Sequence, residues 1–138
     1  MKLFIDTGPF VARLLPTDPD HERSLGVFRE ISERKLAYTA LYTSNYVVDE
    51  AVTRLLYESG HRAAMEALRL LRGSVLLRIV HVTEEDEKRT DEVFAKYDDQ
   101  RISYTDCTCK VVMDRLGIET AFTFDEDDFE TLGITVIP

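Results

Sequence analysis

Four acidic residues, widely spaced in the chain, have the side chains best suited to chemistry. Asp6 and Asp125 each end a short apolar run, Phe-Ile-Asp and Thr-Phe-Asp. A carboxylate is a poor strand residue, so at the end of an apolar strand it lies where the sheet meets solvent. Asp106 falls in the first turn of one predicted helix and Glu50 within another. Four gathered carboxylates repel one another unless a divalent cation such as Mg²⁺ or Mn²⁺ binds their oxygens.

Such a cation site supplies a nucleophile without a histidine or lysine base. Mg²⁺ and Mn²⁺ keep several waters, one of which can attack, and two ions about 4 Å apart stabilise in-line displacement at a phosphodiester. The chain has three histidines, and none is close in sequence to a candidate acid. The residues therefore favour hydrolysis assisted by one or two Mg²⁺ or Mn²⁺ ions.

Each acid also has a purely structural explanation. Asp125 could cap the following helix, and Asp106 could be the capping partner of Ser103. Glu50 lies opposite the apolar stripe of its helix, where an i,i+4 pair with Arg54 is the simpler account. The residue types alone leave these alternatives open.

Strand-like and helix-like segments that alternate along the chain must position these acids. The predicted strands are Lys2–Asp6, Leu36–Leu41, Val75–Val80, Thr120–Phe124 and Ile134–Ile137. The predicted helices run from Pro9 to Leu15, from Asp18-Pro19 to Lys35, over 43–59 and 61–73, from Thr83 to Tyr97, from Ser103 to Leu116, and over 126–131. Five strands separated by helices predict a three-layer α/β/α sandwich with a central, mostly parallel five-stranded sheet. Ligands bind beyond the carboxyl ends of such strands, which is where the acids would meet.

Length and composition indicate one domain over residues 1–138. The chain is 44% hydrophobic and 31% charged, which favours a globular protein over a disordered one. No apolar run approaches the ~20 residues of a membrane span, so we expect no membrane association and a cytoplasmic location. Cys107 and Cys109 are two apart in a predicted helix, which favours packing over a disulfide or zinc site.

The formal net charge of −9 at first argues against nucleic acid. The charge is uneven, however: residues 51–80 carry five Lys and Arg against two Asp and Glu, a net of +3. As a hypothesis, arginines of this segment contact nucleic-acid phosphates, although a solvated basic face explains them at least as well. These arginines are Arg54, Arg62, Arg69 and Arg72.

Four motifs and a closing strand occur in an order that resembles the PIN-domain family, specifically the VapC-like toxin ribonucleases of toxin–antitoxin pairs. The motifs are Phe-Ile-Asp-Thr-Gly-Pro-Phe (4–10), Thr-Ser-Asn-Tyr-Val-Val-Asp-Glu-Ala-Val-Thr-Arg-Leu (43–55), Ser-Tyr-Thr-Asp-Cys (103–107) and Ala-Phe-Thr-Phe-Asp-Glu-Asp-Asp-Phe (121–129), followed by Gly-Ile-Thr-Val (133–136). The resemblance covers nearly the whole chain. It implies that Asp6, Glu50, Asp106 and Asp125 are the catalytic, metal-binding acids, with Glu50 chosen over Asp49.

The resemblance also implies supporting residues and partners. The supporting residues are Thr7, Ser103 or Thr105, and Asp128, which would bind metal through water. The implied activity is metal-dependent endonucleolytic cleavage of RNA, by a homodimer that a cognate antitoxin neutralises.

Three other readings stay open. A PIN-like nuclease can process RNA without being a toxin. A haloacid-dehalogenase-like phosphatase also begins with a strand-end aspartate, but it needs a second aspartate where this chain has Gly8. A non-catalytic α/β interaction scaffold would use the carboxylates only as caps.

Overall fold

Strands and helices alternate in a computed structural model that describes all 138 residues. The strands are β1 (Lys2–Ile5), β2 (Ala40–Ser44), β3 (Leu77–Val80), β4 (Thr120–Phe122) and β5 (Thr135–Ile137). The helices are α1 (Thr7–Leu14), α2 (His21–Ser32), α3 (Asn45–Ser59), α4 (His61–Gly73), α5 (Glu84–Lys96), α6 (Tyr104–Leu116) and α7 (Glu126–Thr131). None of the helices is both long enough and apolar enough to cross a lipid bilayer.

The five strands form one sheet in the order β3-β2-β1-β4-β5, and every neighbouring pair is parallel. Crossovers between parallel neighbours follow a right-handed rule, which predicts α1–α4 on one face and α5–α7 on the other. Most helix contacts agree with this division, since α1 meets α2 and α3, α3 meets α4, and α6 meets α5 and α7, while α3 also meets α6. The predicted α/β/α sandwich is confirmed, and its sheet is entirely parallel.

The central strand β1 carries the core of the molecule. Leu3, Phe4 and Ile5 are at most 1% exposed, as expected for a parallel strand covered on both faces. Phe4 aligns with Tyr42 of β2 and with Ala121 of β4. Because all strands run the same way, whatever follows β1 and β4 emerges at one edge of the sheet.

The second strand lies later in the chain than its apolar run suggests. We predicted Leu36–Leu41, but pairing with β1 begins at Ala40 and the strand continues to Ser44. The preceding segment turns through Arg34, whose φ is 57°, so Leu36 packs against the core from a loop. Ser44 then caps α3 by accepting a 3.2 Å hydrogen bond from the N–H of Val47.

The third strand is an edge strand rather than the buried strand predicted over Val75–Val80. Val75 is 96% and Leu76 64% exposed, and pairing covers only Leu77–Val80. An apolar run alone does not distinguish a central strand from an edge strand that has a neighbour on one side only. The prediction of burial was therefore wrong for this segment.

The second helix begins two residues later than predicted. Asp18 does not cap it; the carboxylate of Asp18 instead accepts a 2.8 Å hydrogen bond from the N–H of Asp20, a turn typical of aspartate. Asp20 is the residue before the helix, which ends at Ser32 rather than Lys35.

The start of α5 and both ends of α6 agree with their sequence signals. Thr83 and Asp86 form the predicted capping box of α5. Ser103 caps α6, and Gly117, with a φ of 67°, ends it in the left-handed conformation that favours glycine. Cys107 and Cys109 in α6 are free and buried, as expected for packing residues. The fourth strand ends at Phe122, so Thr123 and the next two residues form the turn into α7.

Candidate metal centre

Three aspartates from distant parts of the chain meet at the carboxyl edge of the sheet. Asp6 follows β1, Asp125 follows the turn after β4, and Asp106 lies in the first turn of α6. One carboxylate oxygen from each lies within 4.8 Å of the other two. Asp6 is 4% and Asp106 6% exposed, whereas Asp125 faces solvent. The edge of the sheet predicted to collect these residues is therefore where the structure places them.

Burial and crowding make the two inner carboxyls hard to ionise. Burial raises the pKa of Asp6 to about 6, with smaller contributions from Glu50 and Asp125, against hydrogen bonds from Thr7 and Thr123 that lower it. Burial, followed by the charges of Asp6 and Asp125, raises the pKa of Asp106 to about 8. A cation between these groups relieves the same repulsion that the extra protons relieve.

Glu50 lies beside the three aspartates without joining their closest group. It lines the same crevice as Asp6 and Asp125, and its charge contributes to the raised pKa of Asp106. The surface ion pair with Arg54 that offered the simpler explanation does not form. The helix thus turns Glu50 toward the site, while the adjacent Asp49 is exposed and does not line the crevice.

Two buried threonines neighbour Asp6: Thr7 follows it in sequence, and Thr123 is hydrogen-bonded to its carboxylate. Thr123 donates a 2.8 Å hydrogen bond to Oδ2 of Asp6 and accepts a 3.0 Å bond from the N–H of Asp125. Thr7 is 1% exposed, and its hydroxyl has no hydrogen-bond partner. A buried hydroxyl without a partner costs free energy. Thr7 therefore suits a site in which a bound ligand supplies the hydrogen-bond acceptor or donor that its hydroxyl lacks. Sequence reasoning missed Thr123, although a polar residue two positions before Asp125 was the available signal.

The remaining supporting residues lie around Asp106. The hydroxyl of Ser103 accepts a 3.0 Å hydrogen bond from the N–H of Asp106, which fixes the first turn of α6. Thr105 is half-buried, and its carbonyl accepts a hydrogen bond from Thr108. Asp128 is half-buried in α7, and its charge adds to the raised pKa of Asp106. Burial, then the charge of Asp125, raises the pKa of Asp128 as well.

A crevice of about 160 Å³ opens beside the carboxylates. Sequence reasoning did not place Asp18 and Asp20 there, since Asp18 was treated as a helix cap and Asp20 was not singled out. Their loop between α1 and α2 forms one wall, and α3 forms another. The lining residues are Asp6, Thr7, Gly8, Asp18, Asp20, Glu50, Arg54, Phe124 and Asp125.

The four arginines singled out in the sequence occupy different places. Arg54 is exposed and is the one cation that lines the crevice. Arg69 lines a separate groove of about 970 Å³ on the α1–α4 face. Arg62 and Arg72 are exposed on α4 and line neither cavity. Their proposed phosphate contacts stay a prediction, with Arg54 the best placed.

The donor set of the crevice fits a divalent cation of the magnesium type. Its potential ligands are carboxylate oxygens, with no imidazole or thiolate among the lining residues. Mg²⁺ and Mn²⁺ prefer such oxygens, whereas zinc and copper sites usually include histidine or cysteine. Three negative side chains grouped within 4.8 Å also match a doubly charged ion better than a neutral ligand.

A parallel α/β sheet with this carboxylate crevice at its carboxyl edge defines a class of α/β proteins with an acidic site that could hold a metal ion. The family is given by sequence as well: the PIN domain profile matches residues 3–134. The chain belongs to the PIN domain family.

Two relatives and one structural neighbour show how far the similarity extends. The chain is 37% identical over 95 residues, which are 69% of this chain and 71% of the relative, to the 23S rRNA-specific endonuclease VapC20 of Mycobacterium tuberculosis. The crystal structure of that protein, described as a Sarcin-Ricin loop cleaving toxin, superposes with a TM-score of 0.85 at 31% identity over 96% of both chains. Ribonuclease VapC26 of the same species is 28% identical over 142 residues, covering 99% of this chain and 100% of the relative. VapBC2 of Rickettsia felis, bound to a promoter DNA fragment, has a TM-score of 0.71 at 11% identity over 99% of this chain and 98% of its own, and shows the shared fold.

Proposed function

We propose that this protein is a Mg²⁺- or Mn²⁺-dependent endoribonuclease that acts as the toxin of a toxin–antitoxin pair. The observation that carries the proposal is the group of three aspartates, two of them buried, whose oxygens lie within 4.8 Å of one another. Burying carboxylates with no cationic partner is costly, so a fold that collects them indicates a cation-dependent role. Carboxylates that only capped helices on a non-catalytic scaffold would not need to lie together in this way.

The side chains around the aspartates have separable roles. Asp6, Asp106 and Asp125 would hold one or two ions, with Glu50 beside them and Asp128 acting through water. When bound, Mg²⁺ or Mn²⁺ supplies an activated water and stabilises the charge that develops on the phosphate oxygens. Thr123 fixes the carboxylate of Asp6 by its hydrogen bond. Thr7 lines the crevice, and its buried hydroxyl has no hydrogen-bond partner, so a bound water or a phosphate oxygen would supply one.

RNA is the substrate that the relatives support. VapC20 is named as a 23S rRNA-specific endonuclease and VapC26 as a ribonuclease. Arg54 at the crevice provides the phosphate contact that an acidic site otherwise lacks. A ribosomal RNA hairpin is therefore the first substrate to test, and other structured RNAs follow.

Cleavage assays with the wild type and Asp6→Asn test the proposal. We expect wild-type cleavage with Mg²⁺ or Mn²⁺, none with EDTA, and at least a 100-fold loss for Asp6→Asn, because removing a group that acts on the reacting centre costs several kcal/mol. Circular dichroism should show the variant folded. A wild type that binds neither ion at millimolar concentration would favour the interaction scaffold. Cleavage without toxicity on expression would favour an RNA-processing enzyme.

The groove on the α1–α4 face, separate from the carboxylate crevice, suits a protein partner. It has an apolar floor that includes Phe10, Phe28 and Leu41. Four arginines line it: Arg13, Arg29, Arg34 and Arg69. An apolar floor with basic residues around it complements an amphipathic segment that carries acidic residues. We assign this groove to the antitoxin.

Exposed leucines in the groove allow the partner to be tested apart from catalysis. Leu70 is 52% and Leu76 64% exposed, so Leu70→Asp should fold. We expect this variant to keep RNA cleavage and to escape neutralisation by the cognate antitoxin. Cleavage that is still neutralised by that protein would place the antitoxin elsewhere.

The family resemblance is the sole support for two further proposals. We propose a homodimer, which light scattering on the purified chain tests. We also propose a cytoplasmic location, in keeping with a toxin that acts on RNA; fractionation of cells that express the protein tests it.

A further inference from the structure

Phe124 is the one apolar side chain among the nine residues that line the crevice. It directly precedes Asp125 and is half-buried, so part of its ring faces the cavity. Gly8 lies against the same ring: a Cβ at Gly8 would meet Cδ2 of Phe124 at 3.6 Å, an ordinary van der Waals contact. An aromatic ring in a cavity otherwise lined by charged, hydroxyl and glycine residues is not required by the carboxylate site.

Two neighbours hold this ring in place. Phe122, fully buried at the end of β4, meets it edge to face, with ring centroids 5.6 Å apart at 82°. Arg23 on α2 places its guanidinium carbon 5.3 Å from the ring centroid, within cation–π distance. The carboxylate of Asp20 is 3.9 Å away from Arg23, whose side chain is 53% exposed, so this ion pair is weak. Arg23 is thus held mainly by the ring.

Aromatic rings and guanidinium planes are the surfaces on which proteins stack single-stranded bases. We propose that Phe124 and Arg23 form a stacking platform for the nucleobase next to the scissile phosphate. The inference rests on the proposed function, because it takes RNA as the substrate, and it adds residues that contact the base.

The charge of the crevice explains why a stacking platform would help RNA to bind. Five carboxylates and one arginine line the crevice, so phosphate contacts alone give a polyanion little affinity there. Stacking is independent of charge and tolerant of base identity. Arg23 on α2 adds a second positive charge to that of Arg54 on α3. The strand would then be held by its base on one wall and by its phosphate on the other.

The test measures base-dependent binding. A fluorescein-labelled 12-nucleotide RNA and an abasic ribose-phosphate oligomer of equal length are titrated by anisotropy in Mg²⁺. Every protein carries Asp106→Asn, which keeps the RNA intact. We expect the RNA to bind about tenfold more tightly than the abasic oligomer. Adding Phe124→Ala should abolish that preference, and Phe124→Tyr should restore it. Phe124→Leu, which keeps apolar packing, should behave like Phe124→Ala and separates stacking from folding.

Arg23→Gln has a well-matched control. Arg89 pairs with Glu85 at the same 3.9 Å and is similarly exposed, at 57%, but it lies on α5 without an aromatic neighbour. Arg23→Gln should reduce the preference for bases, and Arg89→Gln should leave it unchanged. Full base preference in both Phe124→Leu and Phe124→Ala would overturn the platform.

Cleavage by the unsubstituted protein is measured separately, so the two proposals fail separately. Cleavage without any base preference would contradict the stacking platform and support the proposed nuclease activity. A base preference that depends on Phe124, without cleavage, leaves the platform and removes the nuclease.

Discussion

The hydroxyl of Thr123 donates a 2.8 Å hydrogen bond to Oδ2 of Asp6, across 117 residues of sequence. The two residues follow neighbouring strands, β4 and β1, and both are buried. The same hydroxyl oxygen accepts the N–H of Asp125. One threonine therefore sets the orientation of one acid directly and of a second through its backbone.

Thr123→Val removes this hydrogen bond while keeping the shape of the side chain. Residues that orient a metal ligand typically contribute 10- to 100-fold to affinity or activity, so we expect at least a ~10-fold loss of RNA cleavage. The hydrogen bond also lowers the pKa of Asp6, so the pH at half-maximal activity should move upward. Thr123→Ser keeps the hydroxyl and should retain most activity. A valine variant with a wild-type pH profile would argue against this role.

Asp106→Asn should abolish cleavage and yet stabilise the metal-free protein. Asp106 is 6% exposed, and burial raises its pKa to about 8, so the charged form weakens the fold. At pH 8.5 we expect the variant to gain roughly 2 kcal/mol in free energy of unfolding, measured with urea in EDTA. The gain should shrink as the pH falls from 8 toward the unfolded value of 3.8, because in that window the folded carboxyl keeps its proton while the unfolded one ionises. A loss of stability at pH 8.5 would contradict the crowded-charge account.

The pH dependence of the metal-free protein follows from the same groups. The pKa values of Asp6, about 6, and Asp106, about 8, lie above the unfolded value of 3.8. The folded state therefore binds more protons than the unfolded state between pH 4 and 8, and stability falls as pH rises through this window. We expect the melting temperature in EDTA to fall from pH 5 to 8.

Added Mg²⁺ or Mn²⁺ should reverse this trend. The ion binds the ionised carboxylates and replaces their protons, so its affinity should rise with pH up to about 8. Calorimetric titrations at pH 6 and pH 8 check this, and the protons released on binding should decrease as the pH rises. Equal affinity at both values would mean that these aspartates do not hold the ion.

Sequence reasoning succeeded where a local signal and the global topology agree. Strand-end aspartates in alternating β and α segments are sufficient to predict the edge at which Asp6 and Asp125 meet. Glu50 required the family resemblance, because a helical wheel describes one helix and cannot show that its outer face looks into a crevice built by other elements. Sequence reasoning did not single out Phe124 for a similar reason. Its neighbour Arg23 comes from α2, and where α2 packs is a tertiary property.

Arg54→Gln should weaken RNA binding and flatten its dependence on salt. Arg54 lines the crevice, and loss of one phosphate contact reduces the slope of log K against log salt by about 0.7–0.9. Arg89→Gln, on α5 and outside both cavities, is the matched control and should leave the slope unchanged. A reduced slope for Arg62→Gln with an unchanged slope for Arg54→Gln would move the RNA path onto α4.

Asp86→Asn should destabilise the protein because Asp86 joins α5 to α6. Asp86 is 1% exposed and accepts hydrogen bonds from Nε and Nη2 of Arg115, at 3.0 and 2.8 Å, and from the N–H of Thr83. Burial opposes ionisation, but these partners hold the pKa of Asp86 below its usual value. We expect a loss of about 2 kcal/mol at pH 7, measured by urea unfolding.

The pH dependence of this loss is opposite in sign to that of the metal site. A lowered folded pKa gives stability that is present above the unfolded value of 3.8 and is lost as pH falls through the folded value. The penalty of Asp86→Asn should therefore be constant at neutral pH and shrink in strong acid, whereas the gain from Asp106→Asn grows toward pH 8. Glu85→Gln, which breaks an exposed 3.9 Å pair with Arg89, should change stability little at any pH. The ion pair of Asp86 with Arg115 anchors α6, the helix that carries Asp106. Asp86→Asn should therefore also weaken Mn²⁺ binding. Unchanged binding would mean that the cap, Ser103, is enough to hold the first turn of α6.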